Sequence, residues 1–126
     1  MDDMKVKLST LWIFVMFNMI FADIVGFMNP GALEDIITGN VGVQITQKLL
    51  LVFSILLEIP IAMIPLSRIL KYKANRWANI IAGLITIIFI IGGGDTYLSY
   101  IFFATIEVVC ILYIMWSAWN WHEEIA

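Results

Sequence analysis

Charged residues and the residues that build metal or disulfide sites are scarce in this sequence. Only 13% of its 126 residues are charged, whereas about 25% is usual for globular proteins. The single cysteine, Cys110, excludes an intrachain disulfide and a cysteine-based zinc cluster, and the single histidine, His122, excludes a histidine-rich metal site. We therefore expect no metal site and no cofactor. The formal net charge of −3 offers no basic surface for nucleic acid.

Apolar residues, in contrast, are abundant. They make up 62% of the chain, and the mean hydropathy is +0.95. Uninterrupted apolar runs of about 18 to 22 residues are long enough to cross the hydrocarbon core of a bilayer as helices, and there are four of them, at residues 8–28, 49–66, 77–94 and 98–119. The runs lack the alternation typical of barrel strands. The sequence predicts one all-α membrane domain, a four-helix bundle spanning residues 1–126.

Basic residues are concentrated on one side of this arrangement. They lie before the first run and between the second and third runs, at Lys5, Lys7, Arg68, Lys71, Lys73 and Arg76. Because Lys and Arg near the ends of spans stay cytoplasmic, both termini are expected in the cytoplasm, with the protein in the plasma membrane. The five tryptophans fall at the same ends, where interfacial indoles are favoured.

The connection between the first two runs is long enough to have its own structure. Asn29 as a cap followed by Pro30 predicts a short interfacial helix at about residues 30–38, which glycines at positions 39 and 42 would end. Its apolar residues would face the membrane while Glu34 and Asp35 face water. The connection is interpreted either as an ordered loop or as a lid over a cavity.

Ionisable side chains inside the runs are the main indication of function. Asp23, Glu58 and Glu107 lie within predicted spans, where an ionised group at the centre costs roughly 2.5 to 3.5 kcal/mol on insertion scales. Counting residues from the outer ends places Glu58 and Glu107 at mid-membrane and Asp23 in the outer third. Pro60 beside Glu58 suggests a kink and a cavity, although prolines are also ordinary in membrane helices.

Helical phase groups each of these residues with small or polar neighbours. We expect the resulting stripes to converge at the centre of the bundle, with Glu58 and Glu107 at least partly protonated and hydrogen-bonded to each other, to Tyr100 or to water. Asp23 is expected to pair with Lys48. The candidate ligand- or proton-binding residues are Asp23, Ser54, Glu58, Asn79, Tyr100 and Glu107.

Two segments, residues 8–23 and 58–79, resemble a known family. It consists of small prokaryotic four-span membrane proteins of unknown function, loosely similar to DoxX-like proteins. The resemblance covers nearly the whole chain and supports the fold and topology, but it implies no established activity. Its motif includes residues that the physical argument also selects, at Asp23, Glu58, Asn75, Arg76, Trp77 and Asn79.

Three functions remain open at this point. The first is a carboxylate-lined cavity that binds or transports a small apolar or cationic molecule, or protons. The second is an isomerase-like enzyme for a lipid-soluble substrate, with Glu58 and Glu107 as acid and base and Tyr100 orienting. The third is a non-catalytic accessory or scaffold subunit. We favour the first, with the lipid bilayer as the partner; the sequence also leaves a homodimer open.

Overall fold

The computed structural model describes residues 3–39, 46–93 and 97–122. These ranges form α1 (Asp3–Phe27), α2 (Ala32–Thr38), α3 (Gln47–Ile69), α4 (Tyr72–Gly92) and α5 (Leu98–Trp119), and they contain no strand. All but α2 are long and apolar enough to cross a membrane. The all-α fold with four candidate spans is therefore confirmed. Parts of two predicted features, the turn after α2 at residues 40–42 and the end of the third span at residue 94, lie outside the described residues.

The four long helices form a ring in which each packs on two neighbours. The order around the ring is α1, α3, α4, α5 and back to α1, and successive helices run in opposite directions. We call the end with the α3–α4 connection the basic end, and the other the α2 end. Close packing of α4 on α5 depends on Gly83, because a Cβ atom there would lie 2.7 Å from Met115 Cγ.

The short helix α2 begins two residues later than the sequence predicts. Its N-cap is Gly31, with a φ of 82° that favours glycine, so the prediction of Asn29 as the cap is wrong. The Asn29 side chain instead donates to the Gly26 carbonyl at 3.2 Å. Gly39, with a φ of 77°, ends the helix. The short helix α2 packs against α1.

A fully buried polar network joins α1, α3 and α4 toward the basic end. Asn79 Oδ1 accepts from Trp12 Nε1 at 2.7 Å and from Ser67 Oγ at 3.3 Å. Asn79 Nδ2 donates to Asn75 Oδ1 at 2.6 Å, and Asn75 Nδ2 donates to the Ser67 carbonyl at 2.7 Å. All four side chains are shielded from solvent. Since buried polar groups are stable only when they are paired, these bonds fix how the three helices are rotated.

Two further sets of contacts close the basic end. Ser9 Oγ donates to the Ile64 carbonyl at 2.7 Å and accepts from Arg68 Nε at 3.0 Å. Arg76 donates to the Ala118 and Trp119 carbonyls, both at 3.0 Å. These are carbonyls of the last turn of α5, where a cation is favoured by the helix dipole. These contacts thus tie the first part of α1 to α3, and the last turn of α5 to the first part of α4.

Replacing Trp12 with phenylalanine tests the buried network. The substitution keeps an aromatic ring but removes the N–H that donates to Asn79, so the free energy of unfolding should fall by about 1–2 kcal/mol. Denaturation of the detergent-solubilised protein measures this change. The matched control is Trp116→Phe, since Trp116 is 62% exposed and should change stability by less than about 0.5 kcal/mol. Equal effects of the two substitutions would contradict the proposed importance of the network.

Candidate functional site

A pocket of about 240 Å³ lies among the four long helices in the half of the bundle nearer the α2 end. Two carboxylic acids, Asp23 and Glu107, line it together with the ring of Tyr100. The other described residues of its wall are apolar or glycine: Met19, Ala22, Phe53, Leu57, Phe89, Ile90 and Gly93. We call this space the carboxylate pocket. None of its described lining residues is basic.

The two acids lie at different depths in the pocket. Glu107 is only 4% exposed and lies roughly 13 Å along α5 from Leu98. Asp23 lies about 6 Å from the end of α1 at Phe27. The two carboxylates are close enough to repel each other when both are ionised. The pocket therefore holds two like charges that no cation of the described wall offsets.

Tyr100 forms part of the pocket wall and stabilises the end of α4. Its hydroxyl donates to the Ile90 carbonyl at 2.6 Å, which is one of the last carbonyls of α4 and has no partner within that helix. The bond joins α5 to α4 beside the acids. The phenol is therefore held in place at the wall of the pocket.

A second pocket continues from the first toward the α2 end. Its volume is about 330 Å³, and it shares Ala22, Asp23, Gly93 and Tyr100 with the carboxylate pocket. We call it the outer pocket. It adds Asp35 from α2, a residue that the sequence argument only placed toward water. Asp35 lies three residues after Ala32, which is buried, so both residues lie on the same face of α2. The sequence shows this spacing but not which face of α2 is covered.

A third space, the lateral groove, lies between α1 and α3 on the outer surface of the bundle. It measures about 440 Å³ and reaches Asp23. Its other walls are apolar: Ile13, Met16, Phe17, Met19, Ile20, Leu57, Ile61 and Ile64. Asp23 thus borders all three spaces.

The structure does not bring the remaining predicted residues to this pocket. Asn79 belongs to the buried network described above. Ser54 is exposed and donates to the Leu50 carbonyl of its own helix at 2.8 Å. Glu58 is exposed on α3, so the expected contact between Glu58 and Glu107 is wrong.

The rotation of α3 explains the outward position of Glu58. Ser67 is buried against Asn79, and Glu58 precedes it by nine residues. At about 100° per residue, nine residues place Glu58 roughly 180° away, on the opposite face of the helix. The expected pair between Asp23 and Lys48 is also absent from the described part of the chain, to which both residues belong. Lys48 is exposed and lines none of the three spaces that Asp23 borders.

These features define a class of protein. Four apolar helices of spanning length surround one buried acid, Glu107, and a buried amide network, as in a multi-pass membrane protein. Asp23 lines the pocket beside Glu107 but is exposed. The whole chain, residues 1–126, matches the model of DUF6326, a family of unknown function, and it belongs to that family. No curated protein and no solved structure matches the chain.

Replacing Glu107 with glutamine tests whether the carboxyl group of Glu107 destabilises the folded protein. Glutamine has nearly the same shape but cannot ionise, so folding no longer bears the cost of either protonating this carboxyl group or holding its charge beside Asp23. We expect the free energy of unfolding to rise by about 1 kcal/mol, as is common when a strained functional group is removed. Thermal unfolding in detergent measures it, with Glu34→Gln on the exposed surface of α2 as the control. A loss of stability would instead identify Glu107 as a structural hydrogen-bonding residue.

Proposed function

We propose that this protein binds a small organic cation with an apolar body in the carboxylate pocket, and that protons occupy the site when the cation is absent. One observation carries the proposal: Asp23 and Glu107 line the same pocket, and no basic residue belongs to its described wall. The ligand class follows from the charge and the polarity of that wall.

The two carboxyl groups of the pocket need compensation of their charge. An ionised carboxylate away from water needs a compensating positive charge or a proton. Two carboxylates in one pocket need a positive charge or a proton more strongly than a single one does, because each repels the other. A bound cation and bound protons satisfy the same requirement. We therefore propose that they compete for the pocket, and that binding the cation releases a proton.

The apolar part of the ligand is inferred from the walls. The wall of the carboxylate pocket is mostly apolar, with side chains that include Phe53, Leu57 and Phe89. Its polar groups are few. A largely apolar wall with a few polar groups is typical of small-molecule sites. The lateral groove supports access for a molecule that dissolves in the bilayer, since its walls are apolar up to Asp23. The outer pocket supports access from the α2 end.

Transport is a further step within the same proposal. Exchange of a proton for a cation at an intramembrane carboxylate is the minimum chemistry that coupled transport requires. The isomerase alternative needs Glu58 and Glu107 as an acid–base pair, and no observation favours it because Glu58 is exposed on the far side of α3. We also propose a more distant relation to small prokaryotic DoxX-like proteins, on the residues of segments 8–23 and 58–79; this relation suggests no ligand.

Benzyltrimethylammonium is a suitable probe, because its uncharged carbon analogue, neopentylbenzene, has the same shape. We expect the cation to bind the purified protein and Asp23→Asn or Glu107→Gln to weaken its binding at least about tenfold, which corresponds to about 1.4 kcal/mol. Isothermal titration calorimetry measures the affinity. Titrations in two buffers with different ionisation enthalpies count the protons that are released.

The control is Glu58→Gln, which removes a carboxylate outside the pocket and should change the affinity less than twofold. Neopentylbenzene should bind the wild-type protein and Glu107→Gln equally well. The proposal fails if the cation and its neutral analogue show the same dependence on Asp23 and Glu107. Binding without proton release would leave a cation site but would exclude the exchange.

We also propose that the protein lies in the plasma membrane with both termini in the cytoplasm. The support is the cluster of basic residues at one end of the bundle, which includes Lys7, Arg68 and Lys73. A membrane-impermeant maleimide should label Glu34→Cys on α2 in intact cells and should label Lys73→Cys only in inverted vesicles. Both positions are exposed, and the parent protein, with Cys110 buried, is the control. The reverse pattern would overturn this orientation.

A further inference from the structure

Glu58 occupies an unusual position for an acid in a membrane helix. It lies at the midpoint of α3, equally far from Gln47 and Ile69, and a bilayer that this helix spans symmetrically would have Glu58 at mid-depth. It is also exposed on the surface of the bundle. Ionisable groups at this depth almost always face protein or a water-filled cavity. The single chain leaves Glu58 facing lipid, which indicates that something else covers it.

The surroundings of Glu58 form a continuous exposed face. No residue of α3 before Pro60 is buried, and Leu51 is 60% exposed. The face, which we call the outer face of α3, consists of residues on one side of the helix: Leu51, Ser54, Ile55, Glu58, Ile61 and Pro65. Its one ionisable group is Glu58. The Ser54 hydroxyl is already bonded to the Leu50 carbonyl.

We propose that the outer face of α3 packs against the same face of a second copy of this chain, with the two Glu58 side chains opposite each other. The chemistry of the carboxyl group favours this occupant. A protonated carboxylic acid is both a donor and an acceptor, so two of them satisfy each other by mutual hydrogen bonds. A two-fold axis brings identical residues together. Covering Glu58 with a different chain would instead require a complementary polar or basic group at the same depth of that chain.

The interface does not depend on the ligand. Glu58 lies outside the carboxylate pocket, whose acids are Asp23 and Glu107. The loss of dimerisation would therefore leave the proposed cation site intact, and the failure of cation binding would leave the dimer intact. The two proposals are separately testable.

Energy transfer between donor- and acceptor-labelled chains in lipid vesicles measures the association. As the protein is diluted with lipid, Glu58→Leu should weaken dimerisation roughly five- to tenfold, the effect of losing one or two intramembrane hydrogen bonds. Glu58→Gln should change the dimerisation constant by less than about threefold, since an amide group also both donates and accepts hydrogen bonds. Thr105→Leu is the matched control, because Thr105 is an exposed polar residue of α5 that bonds within its own helix; it should have no effect.

A charge pair tests the register of the two helices. Glu58→Lys alone should not associate, whereas a mixture of Glu58→Lys with the wild-type chain should, because each lysine then faces a glutamate. Oxidation of Leu51→Cys should cross-link two chains, and oxidation of Val109→Cys on the 62%-exposed position of α5 should not. The proposal is overturned if the wild-type protein stays monomeric at every dilution. It is equally overturned if Glu58→Leu dimerises as well as the wild-type chain.

Discussion

The hydrogen bonds of Asn79 are the constraint on which the rest of the structure depends. In a bilayer, water cannot solvate a buried amide, so every polar group must find its partner inside the protein. Asn79 meets this requirement with Trp12 of α1, Ser67 of α3 and Asn75 of its own helix. Apolar packing alone would tolerate many rotations of these helices, because lipid is as apolar as their side chains. The amide network selects one rotation.

The rotation that the amide network selects also affects the half of the bundle nearer the α2 end. With α1, α3 and α4 fixed toward the basic end, their opposite halves leave room for a pocket that contains Asp23 and Glu107. The basic end is closed by paired polar groups, including Ser9 with Arg68. The half nearer the α2 end retains two acids of like charge. The paired polar groups thus lie in one half of the bundle, and the acids on which the binding proposal rests lie in the other.

α3 shows how one helix can serve two purposes. Its inner face contributes Ser67 to the amide network and Leu57 to the pocket, while its outer face carries Glu58. The half-turn between Ser67 and Glu58 makes these roles inseparable. Burying the serine necessarily turns the glutamate away from Glu107 and toward the surface of the bundle.

The sequence by itself determined the number and length of the helices, because the apolar runs and the bilayer thickness leave little freedom. It also identified Asp23, Tyr100 and Glu107, which lie together in one pocket. Helical phase correctly grouped Ser54 with Glu58, but it could not tell inside from outside. Both faces of a membrane helix are apolar apart from a few residues, so the amphipathic signal that orients helices in soluble proteins is weak. Only the tertiary structure decided that Ser54 and Glu58 face outward. The rotation of α3 depends on hydrogen bonds in a network that joins residues as distant in sequence as Trp12 and Asn79.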